Sequence, residues 1–316
     1  MSAAVEAMGL ARRFGGGRSL LGGRTPAVHA LQGVDLEVAK GETVGIVGES
    51  GCGKSTLARL LVGLDRPSEG TIRLEGRDAA ELDWAARART VQYVFQDPVA
   101  SLNPRKTIRQ ALEAPMQRLL GLDGAARRAK LDRLMDAVSL RAEFLDRYPH
   151  EFSGGQAQRI GIARTLAAEA RIVVLDEPVS ALDVSVQAQV LNLLARLKTE
   201  FGLTYLFISH DLGVVESVAD RVAVMYFGRI VEIGPARDLF GHPRHPYTGL
   251  LLRSAPTLGG KRLEPETRAA ELPDPTAPPP GCAFASRCPR VQDRCRRERP
   301  RLDGAPTRAA CFHPLA

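Results

Sequence analysis

Thr43-Val44-Gly45-Ile46-Val47-Gly48-Glu49-Ser50-Gly51-Cys52-Gly53-Lys54-Ser55-Thr56 decides the fold of this 316-residue chain. Its first five residues are a short β-branched run, the mark of a buried strand. The eight from Gly48 to Ser55, with Thr56 following, fit G-x-x-x-x-G-K-[ST], a phosphate-cradling loop that follows a strand and opens a helix. Glycines 48, 51 and 53 let the backbone turn tightly, so that its N–H groups converge on phosphate oxygens. The helix N-terminus adds partial positive charge. Lys54 is expected to neutralise β- and γ-phosphates, and the Ser55 hydroxyl to ligate Mg²⁺. Leu57, Leu60, Leu61 and Leu64 then repeat at helical spacing, and the helix should end near Gly63 and Pro67.

Working outward, Ile172-Val173-Val174-Leu175-Asp176-Glu177 reads as an apolar strand ending in two carboxylates. Placed beside the strand of the phosphate loop, it would bring Asp176 to Mg²⁺ and Glu177 to the side from which water attacks. Further buried strands are expected at 204–208 and 222–225, separated by helical segments. Before the strand at 172–177, residues from about 98 to 168 form a helical insert. Residues 1–40 hold a glycine-rich stretch and then the alternation Leu31, Val34, Leu36, Val38 of a half-buried strand. The fold class is therefore α/β: a phosphate-loop core with a parallel sheet, flanking helices and an antiparallel β part, carrying an inserted helical subdomain. Domain limits are expected at 1–240 and 241–316, with the helical subdomain at about 98–168. The second unit is a small cysteine-containing appendage, because prolines cluster at 273, 275, 278, 279 and 280 and four of the five cysteines follow.

Composition narrows the function. Hydrophobic residues are 44% and charged residues 25%, ordinary for a folded globular chain, which excludes a disordered or fibrous one. No apolar run reaches the length of a membrane span, and the first residues lack a signal core, so neither a bilayer crossing nor secretion is expected. The net charge is +7, and the last 35 residues carry eight arginines against three acids. Without interleaved aromatics this is not a nucleic-acid surface, and a solvated face or anionic lipid is the expected neighbour. A guanine-reading N-K-x-D is absent, since the only asparagines are Asn103 and Asn192.

Phe152-Ser153-Gly154-Gly155-Gln156, followed by Gln158-Arg159 and a helical run, makes the chain resemble the ATP-binding cassette family, with Phe152 where leucine is commoner. In that resemblance Gln96 takes the Q-loop position, Ser180-Ala181-Leu182-Asp183 the D-loop and His210 the switch position. Phe14 is matched to the aromatic that stacks on adenine. The resemblance implies a head-to-tail dimer, in which ATP lies between the phosphate loop of one chain and Ser153 to Gln156 of the other. It implies that Gln96 approaches Mg²⁺ together with Ser55 and Asp176, that Asp183 borders the nucleotide, that Glu177 polarises water and that His210 donates to the γ-phosphate. Lys54 and Ser153 are only 99 residues apart, without tandem cassettes or sustained heptads, which disfavours the cassette ATPases that act on DNA or ribosomes.

Val94-Phe95-Gln96-Asp97-Pro98, Pro178-Val179-Ser180, Arg244-His245-Pro246-Tyr247-Thr248 and the Pro-Pro-Pro-Gly-Cys-Ala-Phe stretch narrow the resemblance. They are similar to the ATPases of bacterial dipeptide and oligopeptide importers, especially the second ATPase of the dipeptide system. That implies a second cassette ATPase (as a heterodimer, or a homodimer), two membrane permeases, an extracytoplasmic solute-binding protein and a peripheral place on the cytoplasmic face of the inner membrane. Nickel importers use similar ATPases and stay open as an alternative. Cys282, Cys288, Cys295 and Cys311 are spaced C-x5-C-x6-C-x15-C. Such spacing suits a [4Fe–4S] cluster better than the tight pairs of structural zinc, with four free thiols as the other reading. The appendage, so read, leaves nucleotide chemistry untouched.

Overall fold

The run Thr43–Val47 is a strand buried at all five positions, as its valines and isoleucine require of a strand covered on both faces. The computed structural model describes residues 3–16, 26–254 and 273–315. It sets this strand in the middle of a seven-stranded sheet. The order is Arg308–Ala309, Arg229–Pro235, Arg221–Tyr226, Thr43–Val47, Thr204–Ile208, Ile172–Asp176 and Val91–Val94. The last five run parallel, and the first two join antiparallel.

One adjacency differs from the sequence expectation. Thr204–Ile208 lies between the phosphate-loop strand and Ile172–Asp176, because crossover connections let parallel strands neighbour each other out of chain order. Asp176 still reaches the loop. The three strands end at one edge in register, Ile46 opposite Ile208 and Ile208 opposite Asp176, and the helix Lys54–Val62 packs across the sheet there. Ligands of open α/β sheets bind at such an edge, beyond the carboxyl ends of the strands.

A second sheet, antiparallel and four-stranded, runs Ala27–Ala39, Ala3–Gly15, Glu69–Leu74 and Arg77–Asp78. Its alternation is the one read from sequence. Leu31, Val34, Leu36 and Val38 are buried while Asp35 and Glu37 face water. Those apolar side chains share a core with Leu57, Leu60 and Leu61 of the phosphate-loop helix, each contributing roughly 1.5–3 kcal/mol.

Between Val91–Val94 and Ile172–Asp176 the chain forms the helices Ile108–Leu120, Gly124–Ala137 and Gly154–Ala167. Each begins with a side-chain cap, from Thr107, Asp123 and Ser153 respectively, which satisfies N–H groups the first turn leaves unpaired. They bury Ile108, Leu112 and Met116 against Leu131, Leu134, Met135 and Ile160.

The C-terminal part is bound into this body. His29 N–H donates to the Pro275 carbonyl (2.9 Å), and Ala310 N–H to Val231 (2.8 Å). Arg308–Ala309 extends the main sheet. Phe284, 1% exposed, packs edge-on to Tyr226 and tilted against Tyr247, each at 5.4 Å between ring centroids. The break in composition that reads as an appendage thus hides shared aromatic packing.

Candidate active site

The phosphate loop requires glycine at its first turn. Gly48 has φ 151°, and a Cβ there would stand 2.2 Å from the Met225 carbonyl oxygen. The loop then delivers Lys54, which is 7% exposed. Its Nζ donates to the carbonyls of Gly48 (2.7 Å) and Glu49 (3.0 Å) and has no carboxylate partner among the described residues. A buried ammonium without a counter-charge is costly, so the cradle fits a polyphosphate. Ser55 Oγ lies 3.5 Å from Asp176 Oδ1, and the other Asp176 oxygen accepts from the Tyr93 hydroxyl. Burial and that bond to Asp176 hold the Tyr93 hydroxyl protonated far above the usual range. A hydroxyl and a buried carboxylate at the mouth of a phosphate loop are the oxygen donors that Mg²⁺ takes.

Glu177 is placed by backbone strain. Its φ is +48°, a left-handed conformation costing a non-glycine residue about 1–2 kcal/mol. The surroundings enforce it. Glu177 N–H donates to the Ile208 carbonyl (2.9 Å), and its own carbonyl accepts from Ser180 N–H (3.3 Å) and Oγ (3.1 Å). The carboxylate is held from two sides, since Gln96 Nε2 donates to Oε2 (3.0 Å) and His210 Nδ1 stands 3.1 Å from Oε1. Gln96, Glu177 and His210 follow three neighbouring strands, which is how residues 81 and 33 positions apart meet.

Other expected residues make no hydrogen bond or ion pair to this group among the described residues. Ser153 Oγ accepts from Gln156 N–H (3.4 Å), and Gln156 Oε1 accepts from Ser153 N–H (3.1 Å), a reciprocal cap of the helix Gly154–Ala167. Gly155 has a packing reason of its own, because a Cβ there would stand 2.4 Å from Val186. Asp183 precedes the helix Val184–Phe201 without a side-chain cap bond. No hydrogen bond or ion pair among the described residues joins Ser153 to Gln156, or Asp183, to Lys54, Asp176 or Glu177. Phe14 is 39% exposed, and the Arg12 guanidinium lies 4.5 Å from its ring centre, covering one face.

Three contributors escaped the sequence reading. Tyr93 grips Asp176. The Tyr247 hydroxyl accepts from Glu49 N–H at 2.9 Å, and Arg287 binds the Glu49 carboxylate through two bonds of 2.8 and 2.9 Å. Glu49 lies 198 and 238 residues before these partners, beyond any local pattern. The only signals were that Tyr247 stands in a quoted motif and Arg287 between two clustered cysteines.

Cys282, Cys288, Cys295 and Cys311 border one cavity with His245 and Phe284. They do not form a finished metal cage: among the described residues no three His, Cys, Asp or Glu side chains are placed to hold a metal ion. Burial, reinforced by the other three cysteines, pushes the Cys282 thiol up to about 11. Cys52 is buried in the phosphate loop, 3.8 Å from Lys54 Nζ.

A phosphate loop at the carboxyl edge of a parallel sheet, facing two consecutive acids, defines a nucleoside triphosphatase core. Residues 31–180 match the family model for the ABC transporter, and residues 231–295 match that for the oligopeptide/dipeptide transporter C-terminal region. The dipeptide transport ATP-binding protein DppF of Haemophilus influenzae is 51% identical over 90% of this chain and 89% of its own length. The oligopeptide transport ATP-binding protein AppF of Bacillus subtilis is 47% identical over the same shares. Among solved structures, the cassette MJ0796 in a dimeric post-hydrolysis state bound to ADP and Pi superposes with a TM-score of 0.65. It is 28% identical and covers 74% of this chain and 99% of its own. This chain belongs to the ABC transporter ATPases that carry the oligopeptide/dipeptide transporter C-terminal region. It is an ATPase, acting on ATP with Mg²⁺. Among the described residues no helix is long and apolar enough to cross a membrane.

Proposed function

We propose that this chain hydrolyses ATP to energise a membrane importer of dipeptides or oligopeptides, docked as a peripheral subunit on the cytoplasmic face of the inner membrane. The observation that carries the chemistry is Glu177, strained and held by Gln96 and His210 beside the cradle of Lys54. On nucleotide binding Lys54 exchanges its two carbonyl partners for phosphate oxygens. Ser55 and Asp176 would hold Mg²⁺, which when bound would neutralise phosphate charge. Glu177 takes a proton from the water that attacks the γ-phosphorus, the bond to the bridging oxygen breaks, and ADP and phosphate leave. His210 donates to the γ-phosphate once released from Glu177. Ser153 to Gln156 and Asp183 face a second cassette, a reading supported by their having no hydrogen bond or ion pair to the phosphate loop of their own chain among the described residues.

Glu177→Gln should keep ATP affinity and lose several orders of magnitude in turnover, while Lys54→Ala weakens nucleotide binding itself. A Glu177→Gln variant that turns over at the wild-type rate overturns this assignment. Peptide as the cargo rests on the C-terminal region matched at 231–295 and on the names of the relatives. The importer then comprises a second ATPase, two permeases and a solute-binding protein. Its ATPase in vesicles should be stimulated by dipeptide; stimulation by nickel alone would replace peptide with metal. The four cysteines sharing one cavity support a [4Fe–4S] cluster, which would offset the thiolate charge that burial disfavours at Cys282, Cys288 and Cys311. Anaerobic protein should be brown and bind four irons per chain, whereas colourless protein with four titratable thiols removes the cluster.

A further inference from the structure

Glu49 is held at all three of its polar groups. Its N–H donates to the Tyr247 hydroxyl (2.9 Å), its carbonyl accepts from Lys54 Nζ (3.0 Å), and its carboxylate receives both arms of Arg287 (2.8 and 2.9 Å). Two of these three anchors come from the C-terminal extension. Both are rigid. Tyr247 is fully buried and packs 4.5 Å from Tyr226 between ring centres. The Arg287 side chain is 15% exposed, with its guanidinium 5.8 Å from the Phe284 ring centre. A forked guanidinium–carboxylate pair fixes direction as well as distance. Here it fixes the residue directly after Gly48, where the loop begins its turn around the phosphates.

We propose that Arg287 and Tyr247 are positioning residues for nucleotide binding: the C-terminal extension clamps Glu49 and so sets the phosphate loop in its binding shape. The clamp runs through the cysteine cavity's own backbone. Arg287 sits one residue before Cys288, on a turn where Ala285 N–H bonds the Cys282 carbonyl and Arg287 N–H bonds that of Phe284. Cys282, Arg287 and Cys288 thus share one short hydrogen-bonded segment. Nucleotide chemistry and the extension, separate in the sequence reading, are joined at one residue.

This inference rests on ATP being the ligand of the loop. Its test is the dissociation constant of a fluorescent ATP analogue on the full chain, with the ATPase KM and kcat beside it. Arg287→Ala should weaken binding about 5- to 30-fold and raise KM by the same factor. Because the group around Glu177 is untouched, kcat should stay within about twofold. Arg287→Lys, which keeps the charge without the fork, should recover part of the loss. The double variant Glu49→Gln with Arg287→Ala should bind no worse than the poorer single, because both remove one interaction. Amide exchange at residues 48–54 should speed up in Arg287→Ala and in Tyr247→Phe, while Arg297→Ala, an exposed arginine of the same extension, should change nothing. Wild-type affinity in Arg287→Ala, strictly additive losses, or a fall in kcat with KM unchanged would each overturn the clamp. Failure of the wild-type chain to bind the analogue at all would instead overturn the ATPase reading.

Discussion

Replacing Phe284 by alanine tests whether the extension is part of the main core or a separately folding attachment. The ring is 1% exposed and touches Tyr226, Tyr247 and His245, with centroids 5.4, 5.4 and 5.9 Å away. Truncating a buried phenylalanine costs about 3–5 kcal/mol, of which each well-oriented aromatic pair supplies about 0.5–1.5 kcal/mol. At about 2 °C per kcal/mol for a chain of this size, the main calorimetric transition should fall by roughly 6–10 °C. Phe284→Leu, which keeps most of the apolar volume, should cost only about 1–1.5 kcal/mol. All variants are scanned at one rate, so that irreversible steps cancel. If Phe284→Ala splits off a small early transition and leaves the main one in place, the extension folds on its own. The shared-core reasoning then fails.

Gly48→Ala places a methyl group 2.2 Å from the Met225 carbonyl oxygen at φ 151°; ATP binding should be lost in equilibrium dialysis, with stability reduced by about 2–4 kcal/mol in urea titration. Burial holds His245 down to about 4, so that it is neutral in the folded chain and protonates first in the unfolded one. Its stabilisation is complete above pH 6.5 and fades as the pH falls from there towards 4. The loss is about 3 kcal/mol, checked as the pH dependence of urea midpoints in wild type and His245→Gln.

Much of the catalytic edge was legible because it is written in short windows. The five residues before Gly48 are apolar and β-branched, and the loop after them admits few conformations. Asp176 and Glu177 end a run that is buried throughout. Strand order was less legible: the burial pattern of 172–176 and 204–208 is identical, so nothing in either run says which lies next to Thr43–Val47. The clamp on Glu49 was out of reach for a different reason. An arginine among eight in a basic tail carries no mark of its partner, and tyrosine 247 looks like ordinary core until its hydroxyl is placed. The composition break after residue 241 misled in one respect, suggesting a tail detached from the loop. Proline and cysteine content describes how a segment is built, not what it leans on.

Glu177 has both carboxylate oxygens engaged, one by Gln96 and one by His210. Each contact takes one of the two lone pairs on its oxygen, so the base keeps a free acceptor site for water while its direction is fixed from two sides. Each neighbour hangs from a different strand end, so the two contacts tie the base to both strands flanking its own. The aim of the base is then a local affair, decided by two contacts on one side chain.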